Sequence, residues 1–121
     1  MQRNMDLVRL ILMRIEDSYS GWSTPPFGLQ GLAPETIRYQ AHIMTEDGLL
    51  EGADVPNLRG TDPEAMPLAL TAKGHDFLDL ARDQTRWNQA HLIIRKVGSA
   101  PIAVWMKVLK DLLLKELGVA S

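Results

Sequence analysis

The sequence predicts an α+β fold, on three observations. Apolar residues recur at helical spacing in four separate stretches of the chain. Two short extended pieces flank a Gly/Pro-rich stretch in the middle. No internal repeat, low-complexity segment or interdomain linker interrupts the 121 residues, a length suited to one domain. Residues 1–121 are therefore read as a single domain, with a core over 1–80 and a C-terminal helical extension over 81–121.

The N-terminal helix is expected over Asn4 to Asp17. Val8, Ile11, Leu12 and Ile15 fall on an i, i+3, i+4, i+7 stripe, and Leu7, Leu10 and Met13 widen it. Asn4 suits the N-cap, and Asp6 suits the positive end of the helix. From Ser18 to Pro34 the period breaks. Ser18, Ser20, Gly21, Pro25, Pro26, Gly28 and Gly31 are turn formers, and the paired prolines argue against a helix. A second helix starts at Pro34, a residue favoured in the first turn, with Glu35 beside it. Ile37, Ala41 and Met44 share its inner face, and Gly48 ends it.

Leu49 and Leu50 begin an extended piece. Gly52 to Pro67 reads as a loop, on two glycines, three prolines and Asn57, and Met66 to Leu70 reads as the returning strand. Thr71 suits the N-cap of a long helix that runs, with a bend, to about Val97, with Phe77, Leu78, Ala81 and Trp87 on its apolar side. Gly98 ends it, and Ser99 is expected to cap the last helix. There Trp105, Met106, Leu109, Leu112, Leu113 and Leu117 line one side and Lys107, Lys110, Asp111 and Lys115 the other.

The order helix, extended piece, helix with a Gly48-Leu49-Leu50 exit, hairpin, then Leu70-Thr71-Ala72-Lys73-Gly74 resembles that of winged-helix domains. The resemblance implies a wing formed by the hairpin and a recognition helix ending in Ala41 to Leu50. The expected fold is thus winged-helix-like: an N-terminal helix, a degenerate helix-turn-helix, a β-hairpin wing and two additional C-terminal helices.

A more specific match runs through Met5-Asp6-Leu7-Val8-Arg9 with Ile15-Glu16, and through Ile37-Arg38-Tyr39 to Leu50. It continues in Gly74-His75-Asp76-Phe77-Leu78-Asp79, Arg82-Asp83, Thr85-Arg86-Trp87-Asn88 and Val97-Gly98-Ser99. By these runs the chain resembles a family of small bacterial and phage proteins known only as a domain of unknown function. Members place a histidine directly after the tyrosine, where this chain has Gln40. The family implies a fold and no established activity.

Charge decides between functions. The chain has 13 basic and 15 acidic residues, a net charge of -2. Between Glu16 and Glu64 nine acidic residues face only Arg38 and Arg59, a balance of -7. Between Arg82 and Glu116 seven basic residues outweigh three acidic ones, a balance of +4. Phosphate contacts dominate DNA affinity, so the acidic wing half disfavours DNA as a partner. The place of the supporting helix that a helix-turn-helix needs is also taken by the Pro/Gly-rich stretch. A nucleic-acid surface would use Arg38, Tyr39, His42, Thr45 and Arg59 on the second helix and wing. Arg82, Arg86, Arg95 and Lys96 would supply it from the C-terminal half.

No catalytic site is expected. The chain lacks cysteine, a glycine-rich phosphate loop and a nucleophile elbow. His75 with Asp76 and Asp79 reads as a helix start, and His42 with Glu46 as a solvated pair. No metal, no cofactor and no membrane partner is expected, and the location is cytoplasmic. Trp22 is a loop aromatic open to an interface. The wide apolar side of the last helix calls for a partner, and Trp105, Leu109, Leu112 and Leu113 are the expected interface of a homodimer. The expected function is a non-catalytic regulatory or interaction module acting through a protein partner or self-association. The competing readings are a sequence-specific DNA-binding transcriptional regulator and a phage-encoded antagonist of a host system.

Overall fold

A computed structural model describes residues 2–17, 31–56 and 62–118. The fold is α+β. Among the described residues it has five α-helices and one two-stranded antiparallel sheet. The chain divides into two compact units, Met1–Asp76 and Phe77–Ser121.

In the first unit, helix α1 covers Met5–Glu16, and the Asn4 side chain accepts a hydrogen bond from the Leu7 amide at 3.1 Å. Leu7, Val8, Ile11, Leu12 and Ile15 are buried, each side chain contributing about 1.5–3 kcal/mol by leaving water. Leu10 differs from expectation. It lies on the opposite side of the helix and is exposed.

Helix α2 covers Pro34–Glu46 with Pro34 in its first turn. It buries Ile37, Ala41 and Met44, and also Gln40. Gly48 turns the chain at a φ of 82°, where a side chain would clash with its own backbone. The Leu49 amide then donates to the Met44 carbonyl at 2.9 Å, closing the helix end. The stretch assigned to the missing supporting helix lies mostly outside the described residues, as does Trp22.

Strands β1, Leu50–Val55, and β2, Glu64–Leu70, pair antiparallel, and α2 packs on both. The loop is thus shorter than the Gly52 to Pro67 expected. The reason is a bulge. Glu51 faces Ala69 but Gly52 faces Pro67, so Leu68 is the extra residue. An irregular ladder there accommodates a proline, which has no amide to donate.

The end of α2 is clamped to the start of helix α3, Ala72–Ala81. Thr71 caps α3 by accepting from the Gly74 amide at 3.0 Å, and its hydroxyl donates to the Gly48 carbonyl. Lys73 donates to the Asp47 carbonyl at 3.0 Å. Gly74 has a further reason to be glycine: a Cβ there would stand 2.1 Å from the Leu49 carbonyl oxygen.

In the second unit the expected single helix to Val97 is two helices. α3 stops at Ala81, and helix α4, Gln84–Ile94, starts afresh with Asp83 accepting from the Arg86 amide at 2.8 Å. Asp83 satisfies an N-terminal amide that a continuous helix would have bonded internally. A short 3-10 turn, Arg95–Val97, and Gly98 at a φ of 90° follow. Helix α5 covers Ile102–Glu116, and its N-cap is Pro101 rather than Ser99. α4 and α5 pack against each other. Their shared core is aromatic. Trp87 stacks on Trp105 with centroids 4.8 Å apart, and His91 stands edge-on to both rings at 5.3 and 4.9 Å. Phe77 meets Trp87 edge to face at 6.2 Å.

Candidate functional site

Helix α2 places four of the expected nucleic-acid contacts, Arg38, Tyr39, His42 and Thr45, and internal contacts occupy Arg38, His42 and Thr45 among them. Arg38 Nε donates to Glu64 Oε1 on β2, and Glu64 is only 8% exposed. His42 Nε2 lies 3.2 Å from Glu46 Oε1, and its Nδ1 lies 4.0 Å from Asp54 Oδ1 on β1. The Thr45 hydroxyl donates to the Ala41 carbonyl at 2.7 Å. It also abuts Gly52, where a Cβ would lie 2.4 Å from Thr45 Oγ1. Tyr39 is half-buried. Arg59 lies outside the described residues. Glu46 and Asp54, the two carboxylates beside His42, are exposed, and so are Glu35 and Glu51.

The four basic residues of the second unit do not act alike. Arg86 is buried and committed. Its Nε and Nη2 donate to the two Glu116 oxygens at 3.1 and 2.8 Å, and its Nη1 donates to the Leu80 carbonyl at 2.8 Å. The hydrogen bond that Arg86 donates to Glu116 raises the Arg86 pKa above its ordinary value; burial opposes this, and the charges of Glu116 and Asp83 add to it. Arg86 is thus a latch between the end of α3, α4 and α5. It corrects the expectation of an exposed basic patch that includes it. Arg82 pairs with Asp79 at 3.2 Å. Arg95 and Lys96 are exposed beyond the end of α4.

The four expected interface residues of α5 also separate. Trp105 and Leu109 are buried within the protein, while Leu112 and Leu113 are half-buried. Trp105 is spent on the stack with Trp87. The exposed large apolar side chains of this unit include Val97 and, on α5 itself, Val104 and Leu117, as well as two on α4. Leu92 is 54% exposed and Ile93 41%. Together with Gln89, Leu112, Lys115 and Glu116 they line an open groove of about 560 Å³ between α4 and α5. Sequence reasoning passed over Leu92 and Ile93. The available signal was their offset from the Trp87, Ala90, His91 and Ile94 stripe.

Gln40 is the other residue that sequence reasoning undervalued. It is 2% exposed. Its Oε1 accepts from the Asn4 amide at 2.9 Å and its Nε2 donates to the Gln2 carbonyl at 2.7 Å. It holds the chain as it enters α1, so this position is structural.

His75, Asp76 and Asp79 are each exposed. Among the described residues no three or more His, Cys, Asp or Glu side chains are grouped to hold a metal ion. No described helix is long and apolar enough to cross a membrane.

Residues 2–100 match the model of the family described as "Hypothetical protein (DUF2513)". A relative from Haemophilus influenzae, described as an uncharacterized protein, is 34% identical over 96 residues, which cover 78% of this chain and 80% of the relative. No solved structure matches the chain. On the family match, the chain belongs to the DUF2513 family, a domain of unknown function.

Proposed function

We propose that this member of the family is a non-catalytic, winged-helix-like interaction module, acting in the cytoplasm through protein contacts. The winged-helix reading rests on the order α1, α2 and hairpin, with α3 starting directly after β2. The cytoplasmic reading is in keeping with a chain that has no cysteine. One observation carries the preference for protein over DNA. Arg38, the cation best placed on α2 to read a base, is held by Glu64 of β2 among further exposed carboxylates. The bond to Glu64 is made through Nε and sets a carboxylate beside the guanidinium, and a base-reading arginine must bring such surroundings close to phosphate.

The test is fluorescence anisotropy of labelled duplex DNA against the full chain over a salt series. The expected outcome is weak binding that vanishes at physiological salt and in competitor DNA. The reading fails if binding survives competitor and is lost in Arg38→Ala. That second reading, a sequence-specific DNA-binding regulator, draws its support from the same helix-then-hairpin order, with Arg95 and Lys96 as exposed cations.

A further inference from the structure

The turn between α4 and α5 carries the most exposed large apolar side chain among the described residues. Val97 is 75% exposed, and Val104 in the first turn of α5 is 41% exposed. Loose packing is not the reason. Gly98, at a φ of 90°, reverses the chain, and its amide donates to the Arg95 carbonyl at 3.1 Å. The Val104 amide donates to the Pro101 carbonyl at 3.0 Å, which fixes the start of α5. Ile94 and Ile102, on either side of the turn, are buried and close the core without Val97. The turn therefore holds Val97 outward, in a run from Arg95 to Ser99 in which every residue is exposed.

The charge on the same turn says what meets it. From Gln84 to Lys110 the chain has five basic residues and no acidic one. Arg86 is taken by Glu116, and Lys107 by Asp111 at 2.9 Å. Arg95 and Lys96 precede Val97 in the 3-10 turn, are exposed, and have no ion-pair partner among the described residues. Asp111, the next carboxylate along α5, stands about 13 Å beyond Ile102 at about 1.5 Å per residue, more than a Debye length of about 8 Å. Two uncompensated cations beside a protruding apolar side chain call for anionic groups with an apolar layer behind them. The headgroup and acyl layers of an anionic bilayer are stacked in that order. A nucleic acid would engage Arg95 and Lys96 and leave Val97 in water, since the run from Arg95 to Pro101 has no aromatic side chain to stack on a base. A protein partner would have to offer a pocket to a convex turn, whereas a bilayer yields around one.

We propose that the α4–α5 turn is a docking tip for a membrane surface rich in anionic lipid. Val97 enters the boundary between headgroups and acyl chains, and Arg95 and Lys96 meet the lipid phosphates and carboxylates. Val104 adds apolar surface at the same end of the two helices. Contact of this kind needs no spanning helix. One inserted valine and two cations give weak, reversible attachment that follows the anionic-lipid content. The inference goes beyond the interaction-module reading and does not depend on it.

The probe is sucrose-loaded vesicles of phosphatidylcholine, with and without about 30% phosphatidylserine, sedimented with the full chain at about 0.1 M salt. The expected result is at least about fivefold more protein on the anionic vesicles. Arg95→Glu with Lys96→Glu is expected to bring binding down to the phosphatidylcholine level. Val97→Ser, with both cations kept, is expected to lower binding at least about threefold. These positions are exposed, and circular dichroism checks that the variants stay folded. Because the chain has no cysteine, Val97→Cys and Lys115→Cys each take a single environment-sensitive dye. On anionic vesicles the dye at position 97 is expected to shift to the blue and the dye at position 115 to stay unchanged. Equal binding to the two kinds of vesicle, binding to neither, or binding undiminished by Val97→Ser overturns the proposal. So does an unshifted dye at position 97 on bound protein. Duplex DNA binding that is lost in Arg95→Glu with Lys96→Glu, in a chain that binds no vesicle, assigns the turn to nucleic acid and overturns it as well.

Discussion

In residues 1–76 the end of α2 is fastened to the start of α3 largely through backbone groups, whereas in residues 77–121 α4 is fastened to α5 through rings and one arginine. The first unit joins α2 to α3 by Thr71 on Gly48, by Lys73 on the Asp47 carbonyl, and by the approach of Gly74 to Leu49. The second joins α4 to α5 by the Trp87–Trp105 stack and the two-pronged Arg86–Glu116 pair. The difference follows from the elements available. A strand leaves its backbone groups reachable, so a turn beside it can be clasped by short polar side chains. A helix satisfies its own backbone, so two helices must meet through side chains.

Three substitutions separate these two modes of attachment. The largest effect is expected for Trp105→Ala. It removes half of the aromatic stack and leaves a cavity, costing about 3–5 kcal/mol in chemical denaturation, with the loss concentrated in hydrogen exchange of α4 and α5. Uniform loss of protection across residues 1–76 would show instead that the units unfold as one.

Gly74→Ala comes next, at about 3 kcal/mol, because the new methyl meets a backbone oxygen that cannot swing aside. Gly52→Ala is the control. There the obstruction is the Thr45 hydroxyl, which can rotate, so about 1 kcal/mol is expected. Thermal melts of the two variants compare them directly, and equal costs would discredit the backbone account.

Of the three, and leaving the Gly52→Ala control aside, the smallest effect is expected for Glu116→Ala. Arg86 keeps the Leu80 carbonyl, and Glu116 is 42% exposed, so water replaces part of the lost pair and about 1–2 kcal/mol is expected. Urea denaturation measures it. A neutral result would mean that the pair orders the helix ends without stabilising them.

The sequence was most legible where structure is set by neighbours in the chain. Asn4, Pro34, Gly48 and Thr71 each do locally what their residue types dictate. The hairpin was misjudged because Pro67 ordinarily marks a loop, and only the pairing with Gly52 shows that it stands in a bulge. The long helix was misjudged at Asp83, which reads equally as a solvated side chain or as a cap. The site was less legible for a different reason. Whether Arg38 and Arg86 are free cations depends on Glu64 and Glu116, which lie 26 and 30 residues away. Pairing at that separation leaves no periodic trace. Trp105 and Leu109 belonged to the apolar side of α5 as expected, but that side is wide enough to have both an inner and an outer edge.

Gln40 bears on what this family can exchange at that position. Its amide supplies one acceptor, to the Asn4 amide, and one donor, to the Gln2 carbonyl. A neutral imidazole carries the same complement, one acceptor nitrogen and one donor nitrogen. A histidine in that place would be a chemical equivalent of Gln40 while neutral, and would cease to be one when protonation turned its acceptor into a donor. With glutamine in that place, the anchorage of the first helix in this chain does not respond to acid at that position.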